Sequence, residues 1–189
     1  MTVAWTRAGF VRAALGGAAV VAGGAATSLA SRSNPAEEDI LNFFLLFEYV
    51  QEAFYRQAVD SGRLTGELQE FASTVVDQEA RHVAFLTDRL GSRARQRPTS
   101  DFADALSSPE RFRDAAIELE ELAIAGYIGQ GPHLSRKTVA RVATLVSVEA
   151  RQVAWIRDIA GVSPAPRAAD PARGAGEAVA ALRKRGFVK

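Results

Sequence analysis

Apolar residues recur along the chain at the three- and four-residue spacing of amphipathic helices, in four long stretches and one short one. Asn34-Pro35-Ala36-Glu37-Glu38 opens the first with a capping residue, a Pro and two acids, and an apolar run follows from Ile40 to Val59. Ser61-Gly62-Arg63 breaks that run. Thr65 is placed to cap a second helix that ends near Leu90, before Gly91. Ser108-Pro109-Glu110 starts a third, to about Gly129, and Gly129-Gln130-Gly131-Pro132 is a turn. Ser135 caps a fourth, to about Ala160, ended by Gly161, and Glu177–Arg185 reads as a short amphipathic helix before Gly186.

Two helix pairs with short turns are therefore joined by one long connection, residues 91–108, with one helical turn expected around Asp101–Leu106. Helices of about 22–27 residues are roughly 33–40 Å long. Eighteen extended residues reach about 60 Å, enough to cross such a bundle from end to end. The expected fold is all-α: a four-helix bundle of two antiparallel pairs, one long crossover and a short C-terminal helix over one end. The third helix is expected to start at the same end as the first. Three segments follow: 1–30, the bundle at 31–161, and a Pro/Ala-rich linker with the short helix at 162–189.

An internal repeat supports the pairing. Glu79-Ala-Arg-His-Val-Ala-Phe-Leu-Thr-Asp-Arg-Leu-Gly91 parallels Glu149-Ala-Arg-Gln-Val-Ala-Trp-Ile-Arg-Asp-Ile-Ala-Gly161, with seven of thirteen positions identical. Glu48 precedes Tyr55, and Glu120 precedes Tyr127, by the same seven residues.

Composition narrows the functional classes. Hydrophobic residues make up 48% of the 189, enough for a buried core. Lys and Arg number 23 against 22 Asp and Glu. Without residues 1–30, which hold two Arg and no acid, 21 basic residues face 22 acidic ones. A body that neutral has no general electrostatic attraction for nucleic acid. There is no Cys, so disulfides, thiolate metal sites and Cys nucleophiles are excluded.

Residues 1–30 read as an address. Arg7 and Arg12 form a basic start, and the Ala/Gly-rich stretch from Ala13 to Ala30 carries no charge. Its apolar character is too mild for a membrane span of about 20 residues. A secretory signal ending at Ser28-Leu29-Ala30 is the expectation. Thr6-Arg7-Ala8-Gly9-Phe10-Val11-Arg12 resembles a twin-arginine export signal, with Ala8 where the second Arg belongs. The chain is thus expected outside the cytoplasm, periplasmic or at the cell surface. It meets the membrane only through this segment if that stays uncleaved.

The chemistry lies in acids on the wrong face of their helices. Glu79 sits among Ala72, Val75, Val76, Val83 and Leu86, with His82 at i+3. Glu149 sits among Val142, Leu145, Val146, Val153 and Ile156, with Gln152 at i+3. Glu48 lies with Leu41, Phe44, Leu45 and Tyr55, and Glu120 with Ala116, Ile117, Ala123, Ile124 and Tyr127. An unpaired carboxylate is strongly disfavoured in a core. Four of them, one per helix, need a cation or protons between them. Carboxylate and imidazole donors suit iron, manganese or zinc. Tyr55 and Tyr127 are read as core residues whose hydroxyls bond the inward acids. Glu52, Glu118 and Glu121 fall off the stripes and are expected in solvent, as are His133 and the Arg93, Arg95, Arg97 loop; Glu121 is the rival to Glu120 should the helical phase shift by one.

Glu48, Glu79-x-x-His82, Glu120 and Glu149-x-x-Gln152, one motif per helix, resemble the ferritin-like superfamily. The Glu-x6-Tyr spacing is similar to rubrerythrin-type members. Leu46-Phe-Glu-Tyr-Val-Gln-Glu-Ala-Phe-Tyr55 and Glu120-Glu-Leu-Ala-Ile-Ala-Gly-Tyr-Ile-Gly129 resemble the exported bacterial ferritin-like domain family, which includes desiccation-related proteins. The resemblance implies Glu48, Glu79, His82, Glu120 and Glu149 as ligands of one or two metal ions, iron foremost, with Tyr55 and Tyr127 donating behind them. It implies redox work on iron, oxygen or peroxide. The chain departs from the family in two places. Gln152 stands where a second His is expected, as a weak or lost ligand, and Gln51 stands where relatives often carry a second first-helix Glu. The alternative is a metal-free bundle with a structural or stress-protective role.

Overall fold

Local signals set most helix ends. The computed structural model describes residues 35–189, so the export-signal reading of residues 1–30 lies outside it. Its helices are α1 (Pro35–Asp60), α2 (Gly66–Leu90), α3 (Pro109–Gln130), α4 (Arg136–Ile159) and α5 (Ala175–Lys184), with no strand among the described residues. Ser108 accepts from the Arg111 N–H to cap α3, and Ser135 accepts from the Thr138 N–H to cap α4. Thr65 stands at the start of α2 with extended backbone, yet its side chain makes no cap bond. The repeat's closing glycines behave alike: Gly91 and Gly161 turn the chain at φ +58° and +70°. No helix among the described residues is long and apolar enough to cross a membrane.

α1 and α2 run antiparallel, with Tyr55 against Phe71 and Glu48 beside His82. α2 and α4 also run antiparallel, with Phe71 edge-on to Trp155 and His82 beside Glu149. The direction of α3 corrects the sequence-based expectation. Phe112, early in α3, stacks on Phe54, late in α1, at 5.3 Å between ring centres. Tyr127, late in α3, stacks on Phe44, early in α1, at 4.2 Å. The third helix therefore starts where the first ends, not where it begins.

The crossover explains this, because it retraces α1 from start to finish. Arg93 pairs with Glu38 at 3.1 Å and Arg95 with Asp39 at 2.6 Å. Asn42 donates to the Arg93 carbonyl at 3.1 Å and accepts from the Arg95 N–H at 2.8 Å. Arg97 lies over the Tyr49 ring at 4.4 Å and bonds Glu52. Phe102 then packs on Phe54. The expected helical turn is present: the Leu106 N–H bonds the Phe102 carbonyl at 2.9 Å, and the Ser107 N–H bonds the Asp104 carbonyl at 3.2 Å. So Arg93, Arg95 and Arg97 staple the loop to α1 rather than standing free, and Glu52 is only 7% exposed, held by Arg56 and Arg97.

The tail is a strap along the bundle's side, not a lid on its end. The Arg173 N–H bonds the Ala125 carbonyl at 2.9 Å, and Arg185 pairs with Glu118 at 2.8 Å, so α5 runs antiparallel along α3. Ala178, Leu182 and Phe187 are buried, Phe187 against Phe54 and Phe102. The close approach needs Gly129: a Cβ there would stand 1.9 Å from the Arg173 carbonyl oxygen. Gly129→Ala is accordingly expected to cost about 1–3 kcal/mol. Denaturant unfolding measures it, with Gly176→Ala, whose Cβ would meet nothing within 4 Å, as the control. An unchanged midpoint for Gly129→Ala would mean the strap is not held there.

Candidate metal centre

Helical register brings the inward acids to one level of the bundle. Glu48, Glu79, Glu120 and Glu149 are each 0% exposed. Glu121 instead reaches the surface and bonds Arg157, so the phase that favours Glu120 over its neighbour is correct. One ligand atom from each of Glu48, Glu79, His82 and Glu149 falls within 4.8 Å of all the others. His82 Nδ1 is the hub, 3.0 Å from Glu149 Oε1, 3.1 Å from Glu48 Oε2 and 3.3 Å from Glu79 Oε2.

Each of the three acids around His82 has its second oxygen tied down. Tyr127 donates to Glu48 Oε1. Gln152 donates to Glu79 Oε1 at 2.6 Å. Gln51 donates to Glu149 Oε2 at 2.9 Å. Such partners fix a carboxylate's orientation and turn its other oxygen to the centre. Glu120 differs, because Tyr55 bonds its Oε1 and Gln51 its Oε2, at 3.0 Å. Both of its oxygens are engaged, and it is not among the four clustered residues.

The two tyrosines expected to bond inward acids do so, each to the acid on the neighbouring odd-numbered helix. Gln152 gives Glu79 its N–H, and a second bond to Gln78 at 3.0 Å, rather than its oxygen. Gln51 is the buried residue of the centre to which sequence reasoning gives no role. The signal was its position: Glu48-x-x-Gln51 has the same i,i+3 spacing as Glu79-x-x-His82 and Glu149-x-x-Gln152.

Electrostatics reflect the crowding. Burial, then the charges of Glu149 and Glu48, push the Glu79 carboxyl well above the usual range. Burial and Glu149 do the same to Glu120, and burial and Glu48 raise Glu149. Burial alone would lower the His82 imidazole, but the carboxylates of Glu149, Glu48 and Glu79, at 3.0, 3.1 and 3.3 Å from Nδ1, outweigh that and raise it far above its ordinary value. Burial lifts both tyrosines, with Glu120 adding to it at Tyr55 and Glu48 at Tyr127. The centre is short of positive charge, which protons or a cation can supply.

The donor set fits a cation. Glu79 Oε2 and Glu149 Oε1 are fully buried acceptors with no hydrogen-bond donor, and both face the hub. Three carboxylates and one imidazole are the ligand chemistry of iron, manganese or zinc. His82 also meets a cleft of about 440 Å³ between α2 and α4, lined by Gln78, Arg81, Phe85, Leu145 and Arg151.

No curated protein matches the chain. Residues 36–162 match the family described as Ferritin-like domain, over α1 to α4. That match takes in about two-thirds of the 189 residues and every residue of the buried cluster, and the chain belongs to the ferritin-like domain family.

Proposed function

We propose that this chain is an exported metal-binding protein that holds a divalent cation, iron foremost, on Glu48, Glu79, His82 and Glu149. The observation that carries the reading is the pair of buried acceptor oxygens, Glu79 Oε2 and Glu149 Oε1, which lack any donor beside a histidine nitrogen. Tyr127, Gln152 and Gln51 orient the three carboxylates, and the bundle keeps bulk water from them. Bound iron would supply redox chemistry toward oxygen or peroxide. Placement outside the cytoplasm rests on residues 1–30, and a chain found wholly in the cytoplasmic fraction would remove that part.

Metal analysis of protein from iron-replete cells is expected to find stoichiometric metal, lost in the Glu79→Gln, His82→Ala double variant. Free metal at a hundred times Kd stabilises a protein by about 2.7 kcal/mol. For a chain of this size that raises the melting temperature by about 5–10 °C. Metal-free protein whose melting ignores iron, manganese and zinc would remove the reading. Its rival is a metal-free bundle with a structural or stress-protective role. The donors Tyr55, Tyr127, Gln51 and Gln152 favour that rival, since each quiets an acid without metal. The same two measurements separate them.

A further inference from the structure

The centre is built twice and then made unequal. In the repeat register, Glu48, Tyr55, Glu79 and His82 correspond to Glu120, Tyr127, Glu149 and Gln152. The contacts obey the correspondence. Tyr127 bonds Glu48 as Tyr55 bonds Glu120, and His82 meets Glu149 as Gln152 meets Glu79. A symmetric centre of this kind would offer two equivalent cation positions.

Gln51 breaks the symmetry. It stands three residues after Glu48, and the residue three after Glu120 is Ala123, which has no polar group to offer. Gln51 is fully buried, and its Nε2 donates to Glu120 Oε2 at 3.0 Å and to Glu149 Oε2 at 2.9 Å. A side-chain amide has two N–H donors, so both are spent on these two carboxylates. One –NH2 group thus bridges acids from α3 and α4. It leaves Glu120 with no oxygen free, while Glu48, Glu79 and Glu149 each keep one turned to His82.

We infer that Gln51 restricts the centre to one divalent cation per chain, its amide filling the position between Glu120 and Glu149 that a second cation would take. This rests on the metal-binding reading above. Glu120 then holds the amide rather than the metal, and the retained His82 lies in the half that binds.

The test uses the full chain, stripped of metal and titrated with Mn(II). Bound ions are counted by elemental analysis, and magnetic coupling between them is read by electron paramagnetic resonance. Wild type is expected to bind one ion with the spectrum of an isolated centre. Gln51→Glu replaces the bridging donor with an acceptor and a negative charge, and is expected to bind two ions that are magnetically coupled. Gln51→Ala, which adds no charge, is expected to admit a second, weaker ion. Two ions in wild type would overturn the inference and leave the metal-binding reading standing. No ion in wild type would remove both. One uncoupled ion in a folded Gln51→Glu variant would show that Gln51 is not the restriction. Should that variant fail to fold, the same result in Gln51→Ala would overturn it.

Discussion

Glu149→Gln is expected to move metal affinity and metal-free stability in opposite directions. Glu149 Oε2 accepts from Gln51, and an amide oxygen can keep that bond. Its Oε1 faces His82 and the unsatisfied Glu79 Oε2, in a group of acids that burial and mutual repulsion already disfavour as anions. An –NH2 in place of Oε1 removes one charge and brings a donor to Glu79 Oε2, an acceptor that has none. The metal-stripped variant should gain about 1–2 kcal/mol, or roughly 2–8 °C in melting temperature. The same –NH2 points its hydrogens at any cation on the other ligands, and affinity should fall by about a hundredfold or more. Thermal melts of stripped protein and a Mn(II) titration measure the two halves. A lower melting temperature without metal, or unaltered affinity, would contradict the account.

Phe54→Ala should give the largest loss of stability of any single truncation proposed for this chain. The Phe54 ring is fully buried and touches Tyr55, Phe102, Phe112 and Phe187, from α1, the crossover, α3 and the tail. Removing it empties a place where all four segments meet. Truncating a buried Phe costs about 3–5 kcal/mol, or roughly 6–20 °C for a chain of this size. Chemical and thermal unfolding check it. A loss below about 1 kcal/mol would mean the segments are held together elsewhere.

The bundle was legible because its helices are periodic and its caps and closing glycines are local signals. Glu48, Glu79, Glu120 and Glu149 were legible for the same reason: a helical register states which face an acid occupies. Direction was not. Which end α3 starts from depends on the path of the crossover, and that path is set by Arg93, Arg95 and Arg97 finding Glu38, Asp39 and Glu52 across the fold. Charged residues in a loop look solvated until their partners are known. The difference between Glu120 and the other three acids was hidden likewise. It turns on which oxygen of each carboxylate is already bonded, and that is decided by Gln51, Tyr55, Tyr127 and Gln152 reaching from other helices.

The wrapping of α1 also makes the two sides of the described bundle unlike. α2, α3 and the stapled crossover pack around it, the C-terminal strap packs on Phe54, and nearly every residue from Ile40 to Ala58 is hidden. His82 lines the cleft between α2 and α4, which Arg81 and Arg151 border. A cation entering by that cleft would pass two guanidinium groups, which slow its approach. Exchange of the centre's contents should therefore quicken as salt screens that doorway.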